Sequence, residues 1–589
     1  MTGRFRVLIP DRRWFEENIG CEDACPVNTR APQYIAAVRR SDYALAFELN
    51  RGDNLFPAIL GRICVHPCEE KCRRGRLLDL PISICALKRA ASDYRVSAAI
   101  PEERATQKRP KKVAIIGAGP SGLSAANDLA RMGHSVTIYE SFPISGGMLT
   151  VGIPPYRLPR EVIRSAVDEV ERSGVKIFMD RPIGKDLKLE DLRREYDAVY
   201  IAAGAHKAEK LGIAGEGLQG VIHGVTFMQR VNLKEDLKIG ERVAVVGGGN
   251  TAMDTARSSI RMGAKEVLII YRRTREEMPV DPRELEQVEE EGIRILYLTS
   301  PIKVLSRDGR TVSGLRCIRN RLGEPDSDGR RRPIPIEGTE FEIDIDLLIP
   351  AVSQSPDISF LPDEIGLEFS KWDRLSVDPE TFKANVPGIF AGGDFITGPR
   401  DVIRVIADGR KAALSIDAYL TGAVIEKRPA HFTPVSEVVI DPDLENISRQ
   451  RMGTIPVEER KSIEREVELG LSKEAAFKEA VRCLQCHIFT IFDRTKCILC
   501  GGCVDICPKS CFRMARLDEI EGDERLSRTV ESLYGVALGE VERLNLATAM
   551  IKEESRCIQC GLCARRCPTG AITMEQYHRE SSFYRKEGV

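Results

Sequence analysis

The 589-residue chain has no apolar run approaching the roughly 18–20 residues that a membrane helix needs, so insertion into a bilayer is not expected. Its start, Met1 to Arg13, carries charges with no apolar core behind them, unlike an export signal, and a cytoplasmic protein is expected. Neither sign of charge dominates: 87 Lys and Arg face 88 Asp and Glu, a net charge of −1. Such a chain lacks the long-range field that draws proteins to nucleic acid or anionic lipid. The third gap is local. No cysteine occurs between Cys85 and Cys317, although the chain has 18. Six lie in 21–85 and eleven in 483–567. A reducing cytosol keeps thiols from pairing, so metal or cluster ligation is expected at both ends of a cysteine-poor middle.

Hydrophobic residues at 42% and charged residues at 30% are ordinary globular values, which exclude a disordered or fibrous chain. At roughly 100–200 residues per domain the length predicts about three to five domains. The middle supplies two. Val113-Ala-Ile-Ile-Gly117-Ala-Gly119-Pro-Ser-Gly122 reads as a strand turning through glycines into a helix, and a second strand, Val136 to Tyr139, ends at Glu140. Gly117 permits the tight turn, Gly119 lets backbone approach a pyrophosphate, and Gly122 lets helix and strand pack closely. The phosphates belong at the helix N-terminus, and Glu140 would accept from a ribose.

The pattern returns at Val243-Ala-Val-Val-Gly247-Gly-Gly249-Asn250-Thr251-Ala252, but its second strand ends in Arg272-Arg273. Arginine there suits the 2′-phosphate of NADP, so both are assigned to it; the bland reading is two solvated charges. A third piece, Gly388-Ile-Phe-Ala-Gly-Gly393-Asp394, reads as a strand breaking before an acid that can bind a flavin's ribityl chain.

Together with Gly146-Gly147-Met148-Leu149, Gly152-Ile-Pro-Pro-Tyr-Arg-Leu-Pro159 and Tyr271-Arg272-Arg273, these pieces resemble the small subunit of NADPH-dependent glutamate synthase and its relatives, over about residues 15–430. The relatives include dihydropyrimidine dehydrogenase and the flavin subunit of bifurcating transhydrogenases. The resemblance implies FAD in the first fold, NADP(H) or NAD(H) in the second, and hydride transfer between them, with Gly147 and Met148 among the cofactor-binding residues. That transfer needs positioning and electrostatics rather than a protein acid, base or nucleophile, so no catalytic residue is assigned. The absence of cysteine from 86–316 excludes a thioredoxin-reductase-like dithiol in the nucleotide fold.

The C-terminal cysteines carry the sharpest metal signal. Cys497-x2-Cys500-x2-Cys503-x3-Cys507-Pro508 is followed by Cys557-x2-Cys560-x2-Cys563-x3-Cys567-Pro568. In two-cluster ferredoxins the fourth cysteine of each run reaches the other cluster, so Cys497, Cys500, Cys503 and Cys567 are assigned to one 4Fe-4S cluster and Cys557, Cys560, Cys563 and Cys507 to the other. The stretch from Pro508 to Arg556 is longer than a compact ferredoxin needs and reads either as a docking insert or as a solvated excursion. At the N-terminus, Cys21, Cys25, Cys64, Cys68, Cys72 and Cys85 resemble the helical cluster domain of the same family, which carries two clusters in dihydropyrimidine dehydrogenase. The upstream CxxC that would complete the first is missing here, so one cluster is assigned, on Cys25, Cys64, Cys68 and Cys85. Cys21 and Cys72 are left without a role. Cys483, Cys486 and Cys511 form a loose set open to zinc, a further cluster or free thiols. His66 reads as a packed neighbour and Cys317 as core.

The expected fold is multidomain α/β: a helical 4Fe-4S domain (1–108), a discontinuous Rossmann-like FAD domain (109–235 and 355–430), a Rossmann-like NAD(P)H domain (236–354), a linker (431–488) and an α+β two-cluster ferredoxin domain (489–589). The expected function is that of an iron-sulfur flavoprotein, an NAD(P)H:acceptor oxidoreductase with three 4Fe-4S clusters. Its partners would be an electron-carrying protein subunit or ferredoxin, in a hetero-oligomer or homodimer. A true glutamate synthase small subunit, a sulfite-reductase-, hydrogenase- or formate-linked flavin subunit, and a non-catalytic redox sensor are the alternatives.

Overall fold

A computed structural model describes residues 5–95, 110–326, 329–370, 372–426, 430–436, 444–538, 540, 548–579 and 584–586. Most of the polar stretch from Pro101 to Lys112, at the boundary between the helical domain and the flavin fold, lies outside them.

Alternate apolar runs build two parallel sheets buried on both faces, as crossover helices require. In the first, the strand order is Ile389–Ala391, Ala198–Ile201, Lys112–Ile116, Ser135–Tyr139 and Lys176–Phe178. Its first-named strand comes from far downstream, after the whole second fold. That second sheet runs Leu347–Pro350, Arg242–Val246, Glu266–Ile270, Arg294–Leu296. Helix Val402–Thr421 packs on helix Pro120–Arg131 so closely that a Cβ on Gly409 would stand 2.3 Å from Ser121 O. An antiparallel sheet of Thr299–Leu305, Gly314–Pro325, Arg331–Pro335 and Phe341–Asp344 is appended to the second fold, with Cys317 fully buried in it.

At the N-terminus, helices Ala31–Arg39, Tyr43–Asp53 and Ile84–Asp93 share one core with a helix from the far end of the chain, Lys473–Val481, which buries Ala476 and Ala480 there. Residues 444–488 are therefore not a linker. Glu479, fully buried, explains the docking: its carboxylate accepts from Ser83 N–H (2.7 Å), Gln450 N–H (2.6 Å) and Arg482 (2.7 Å). The sequence conceals this because the buried apolar face of the helix is narrow, Ala476, Ala480 and Val481 beside lysines and glutamates.

The C-terminal module pairs Ile488–Phe492 and His431–Pro434 with opposite edges of Ile572–His578, and Phe512–Arg516 with Thr548–Lys552. The long insert is occupied by this chain itself: strand Ile520–Gly522 pairs with Phe5–Val7, and helix Glu524–Tyr534 buries Leu526 and Val530 beside Phe5, Val7 and Ile9. Among the described residues no helix is long and apolar enough to cross a membrane.

Candidate functional site

Three glycines of the first turn do different jobs. Gly117 sits at φ +104°, and a Cβ there would stand 2.5 Å from Ala202 O; a Cβ on Gly122 would stand 2.1 Å from Gly117 O. Only glycine fits either position. Gly119 has an ordinary extended backbone, and its added Cβ would meet nothing nearer than Gly147 Cα at 3.9 Å. Nothing in the chain itself therefore demands glycine here, at a helix start that no side chain caps. Gly147, at φ +53° and next to Met148, packs against this turn: a Cβ on Gly147 would lie 2.8 Å from Gly119 Cα. Gly393, at φ +65°, approaches Ser121 from the other side, with Asp394 next to it. Burial pushes the Asp394 carboxyl up to about 7, against the pull of the Arg400 N–H that it accepts at 3.0 Å. Glu140 is buried; Oε2 accepts from Ala118 N–H (2.7 Å) and Oε1 from Phe142 N–H (2.9 Å) and Ser141 Oγ (3.1 Å). These bonds brace the turn and leave lone pairs for a ribose.

The second turn repeats the geometry. A Cβ on Gly247 would lie 2.3 Å from Ala351 O, one on Gly248 would strike the Tyr271 ring at 2.3 Å, and one on Gly249 would meet nothing within 4 Å. Asn250, Thr251 and Ala252 open the uncapped helix Asn250–Arg261. The two arginines part company. Arg272 is exposed, whereas Arg273 is buried, paired with Asp326 and donating through Nε to Arg331 O at 2.7 Å. Successive strand-end residues point to opposite sides, and the appended sheet supplies an acid on one of them. The expectation that both face a 2′-phosphate is corrected: Arg273 is held inside.

The cysteines gather in groups. Cys497, Cys500, Cys503 and Cys567 line one cavity with Met550 and Ile572; Cys507, Cys557, Cys560 and Cys563 line a second with Cys511. The Cys511 thiol bonds to Cys557, which holds the Cys557 thiol down at about 6 and raises its own. Cys511 N–H also donates to Cys507 Sγ at 3.2 Å. That makes Cys511 a hydrogen-bond donor to the thiolates of its cavity. Cys25, Cys64, Cys68 and Cys85 surround Lys88, a residue sequence reasoning missed. Burial lowers the Lys88 pKa, but Cys64, Cys85, Cys68 and Cys25 outweigh it and raise the ammonium above its ordinary value. Cys25 and Cys64 pack into the same core as the first nucleotide fold. His66 is paired with Asp281 (3.0 Å) of the second fold. Cys21, Cys72, Cys483 and Cys486 form the last group.

Residues 111–409 match the model of the pyridine nucleotide-disulphide oxidoreductase family. The chain belongs to that family. Residues 14–100 match the dihydropyrimidine dehydrogenase domain II 4Fe-4S cluster model, and 496–571 the 4Fe-4S dicluster domain. This family member is thus an NAD(P)H-dependent FAD and iron-sulfur oxidoreductase that passes electrons between flavin and clusters. It is 41% identical to the beta subunit of NADP(+)-dependent formate dehydrogenase of Moorella thermoacetica, over 79% of this chain and 70% of that one. It is 38% identical to the beta subunit of NADPH-Fe(3+) oxidoreductase of Geobacter sulfurreducens (79% and 75%), and 33% identical to the glutamate synthase [NADPH] small chain of Azospirillum brasilense (68% and 86%).

Proposed function

We propose that the protein takes hydride from NADPH and delivers electrons singly to a partner subunit of a larger redox complex, with FAD and three 4Fe-4S clusters as its resident cofactors. Bound FAD accepts a hydride and releases its electrons one at a time, and cubanes carry them singly. The observation that carries this reading is the packing of Cys25 and Cys64 into the core of the first nucleotide fold, next to an open glycine cradle.

The residues divide the work. Gly119 and the helix start behind it receive the FAD pyrophosphate, Glu140 the ribose, and Asp394 with Gly393 the ribityl side. Gly147 and Met148 close that cradle. Gly249, Asn250, Thr251 and Ala252 receive the nicotinamide dinucleotide, and the exposed Arg272 meets the 2′-phosphate. Cys25, Cys64, Cys68 and Cys85 hold the N-terminal cluster with Lys88 balancing its charge. The two ferredoxin-like cavities hold the others, on Cys497, Cys500, Cys503 and Cys567, and on Cys557, Cys560, Cys563 and Cys507. The names of two relatives, beta subunits of a formate dehydrogenase and of an iron reductase, support a companion subunit as electron donor or acceptor.

Anaerobic steady-state oxidation of NADPH with a viologen acceptor tests this. Turnover that requires bound FAD is expected; flavin-loaded protein that binds NADPH without turnover would favour the redox-sensor reading.

A further inference from the structure

Besides Cys511 and the core residue Cys317, four cysteines remain outside the three cluster sets, and the fold collects them from three distant segments. Cys21 and Cys72 flank a backbone contact so close that a Cβ on Gly20 would stand 2.4 Å from Lys71 O. Arg74, two residues beyond Cys72 and fully buried, donates to Arg482 O at 2.8 Å, one residue before Cys483. Arg482 is fully buried too and returns bonds to Asp79 and Leu80 O, each at 2.8 Å. Cys21, Cys72 and Cys483 border one hydrophobic core. Their thiols act on one another: burial raises the Cys21 thiol, and Glu22, Cys486, Cys72 and Cys483 add to it, while the Cys483 thiol is raised by burial, Cys486 and Cys72.

A cation completes the setting. Arg73 is 5% exposed, acts electrostatically on Cys486, and leaves its Nε without an acceptor among the described residues. A buried guanidinium N–H without an acceptor is costly unless an anion meets it. Lys88 plays the matching part in the first N-terminal set.

We propose that Cys21, Cys72, Cys483 and Cys486 hold a further 4Fe-4S cluster that joins the N-terminal cluster to the ferredoxin-like module, a proposal that rests on the iron-sulfur reading above. The CxxC absent upstream of the helical domain is thus provided from behind the flavin fold, by the end of helix Lys473–Val481. Position gives the site its role. Tyr34, fully buried, is acted on by Cys68, Cys85 and Cys25 of one N-terminal group and by Cys21 of the other. On the far side Arg73 pairs with Glu554 (3.1 Å) and donates to Cys557 O (2.9 Å), and Cys557 acts on the Cys486 thiol. The sites therefore form a series from flavin to the C-terminal cavities. At each passage one electron enters the site and one leaves, with the reduced flavin as reductant and the downstream acceptor as oxidant, so nothing accumulates.

The full chain, produced anaerobically, decides the matter through iron, acid-labile sulfide, zinc and flavin contents. About sixteen irons per chain are expected, since each cubane holds four. The parent at about twelve irons overturns the fourth cluster and leaves the other three standing; fewer than that counts against the wider iron-sulfur reading. The Cys483→Ser/Cys486→Ser variant should lose about four irons, and one spin of the dithionite-reduced electron paramagnetic resonance signal, at unchanged flavin content. Cys21→Ser, from the opposite end of the chain, should remove the same spin, whereas Cys317→Ser should remove none. Unchanged iron in the double variant, or one zinc in place of the missing irons, overturns the assignment.

Discussion

Gly119 and Gly117 differ by what an added carbon would strike. At Gly117 it strikes this protein's own backbone, at Gly119 almost nothing. Gly119→Val should therefore fold, with a parental circular dichroism spectrum, and be purified without flavin; a variant as yellow as the parent would remove Gly119 from the cofactor site. The arginine pair separates in the same way. Arg272→Ala should raise the KM for NADPH about tenfold or more and spare NADH, because a charge-assisted contact to the 2′-phosphate is worth about 1.5–3 kcal/mol. Arg273→Ala should instead lower the melting temperature, since it removes the ion pair with Asp326 and the bond to Arg331 O, with little change in NADPH preference. A reversed pattern would return Arg273 to the nucleotide. Asp394 makes a pH prediction. Its folded pKa, near 7 from an ordinary 3.8, means that the folded chain holds a proton the unfolded chain has released. Flavin-free protein should thus lose stability as pH rises from about 4 to 7, and Asp394→Asn should flatten that slope in thermal melts.

Helix Lys473–Val481 illustrates how an element's role depends on its neighbours. In sequence it is a short charged segment; in the fold its two buried alanines and the fully buried Glu479 attach the far end of the chain to the first helices. Glu479→Leu should destabilise this attachment by about 2–4 kcal/mol, because the buried Ser83 N–H and Arg482 and the half-buried Gln450 N–H each lose an acceptor. Limited proteolysis would then cut within 444–488 faster than in the parent; an unchanged digestion pattern would contradict the role given to Glu479. The strand Phe5–Val7 is a second case, pairing with an insert that the sequence left open as a docking piece.

For the molecule as a whole, the sites run in series rather than as two independent ends, and the last cavity is the most open: Cys500 is exposed and neighbouring Ile498 is 64% exposed. Cys500→Ala should remove about four irons and stop delivery to a protein acceptor at this end. Stopped-flow bleaching of the flavin by NADPH should keep the parental rate, since the nucleotide cradles are remote in sequence and share no core with that cavity. Undiminished turnover with that acceptor would place the exit elsewhere.

The two glycine turns, the doubled cysteine runs and the α/β class were determined by local sequence, because each rests on residues close together in the chain: a strand, a turn and a helix, or thiols spaced two and three apart. The membership of the Cys21, Cys72, Cys483 and Cys486 group, the fate of Arg273 and the structural place of residues 444–488 were decided by tertiary structure alone. Each depends on a partner that lies far away in sequence: Arg482 for Arg74, Asp326 for Arg273, Ser83 for Glu479. No spacing rule reaches a partner chosen by burial, where an unmet charge or N–H is costly and the nearest complementary group, from whatever segment the core brings, satisfies it.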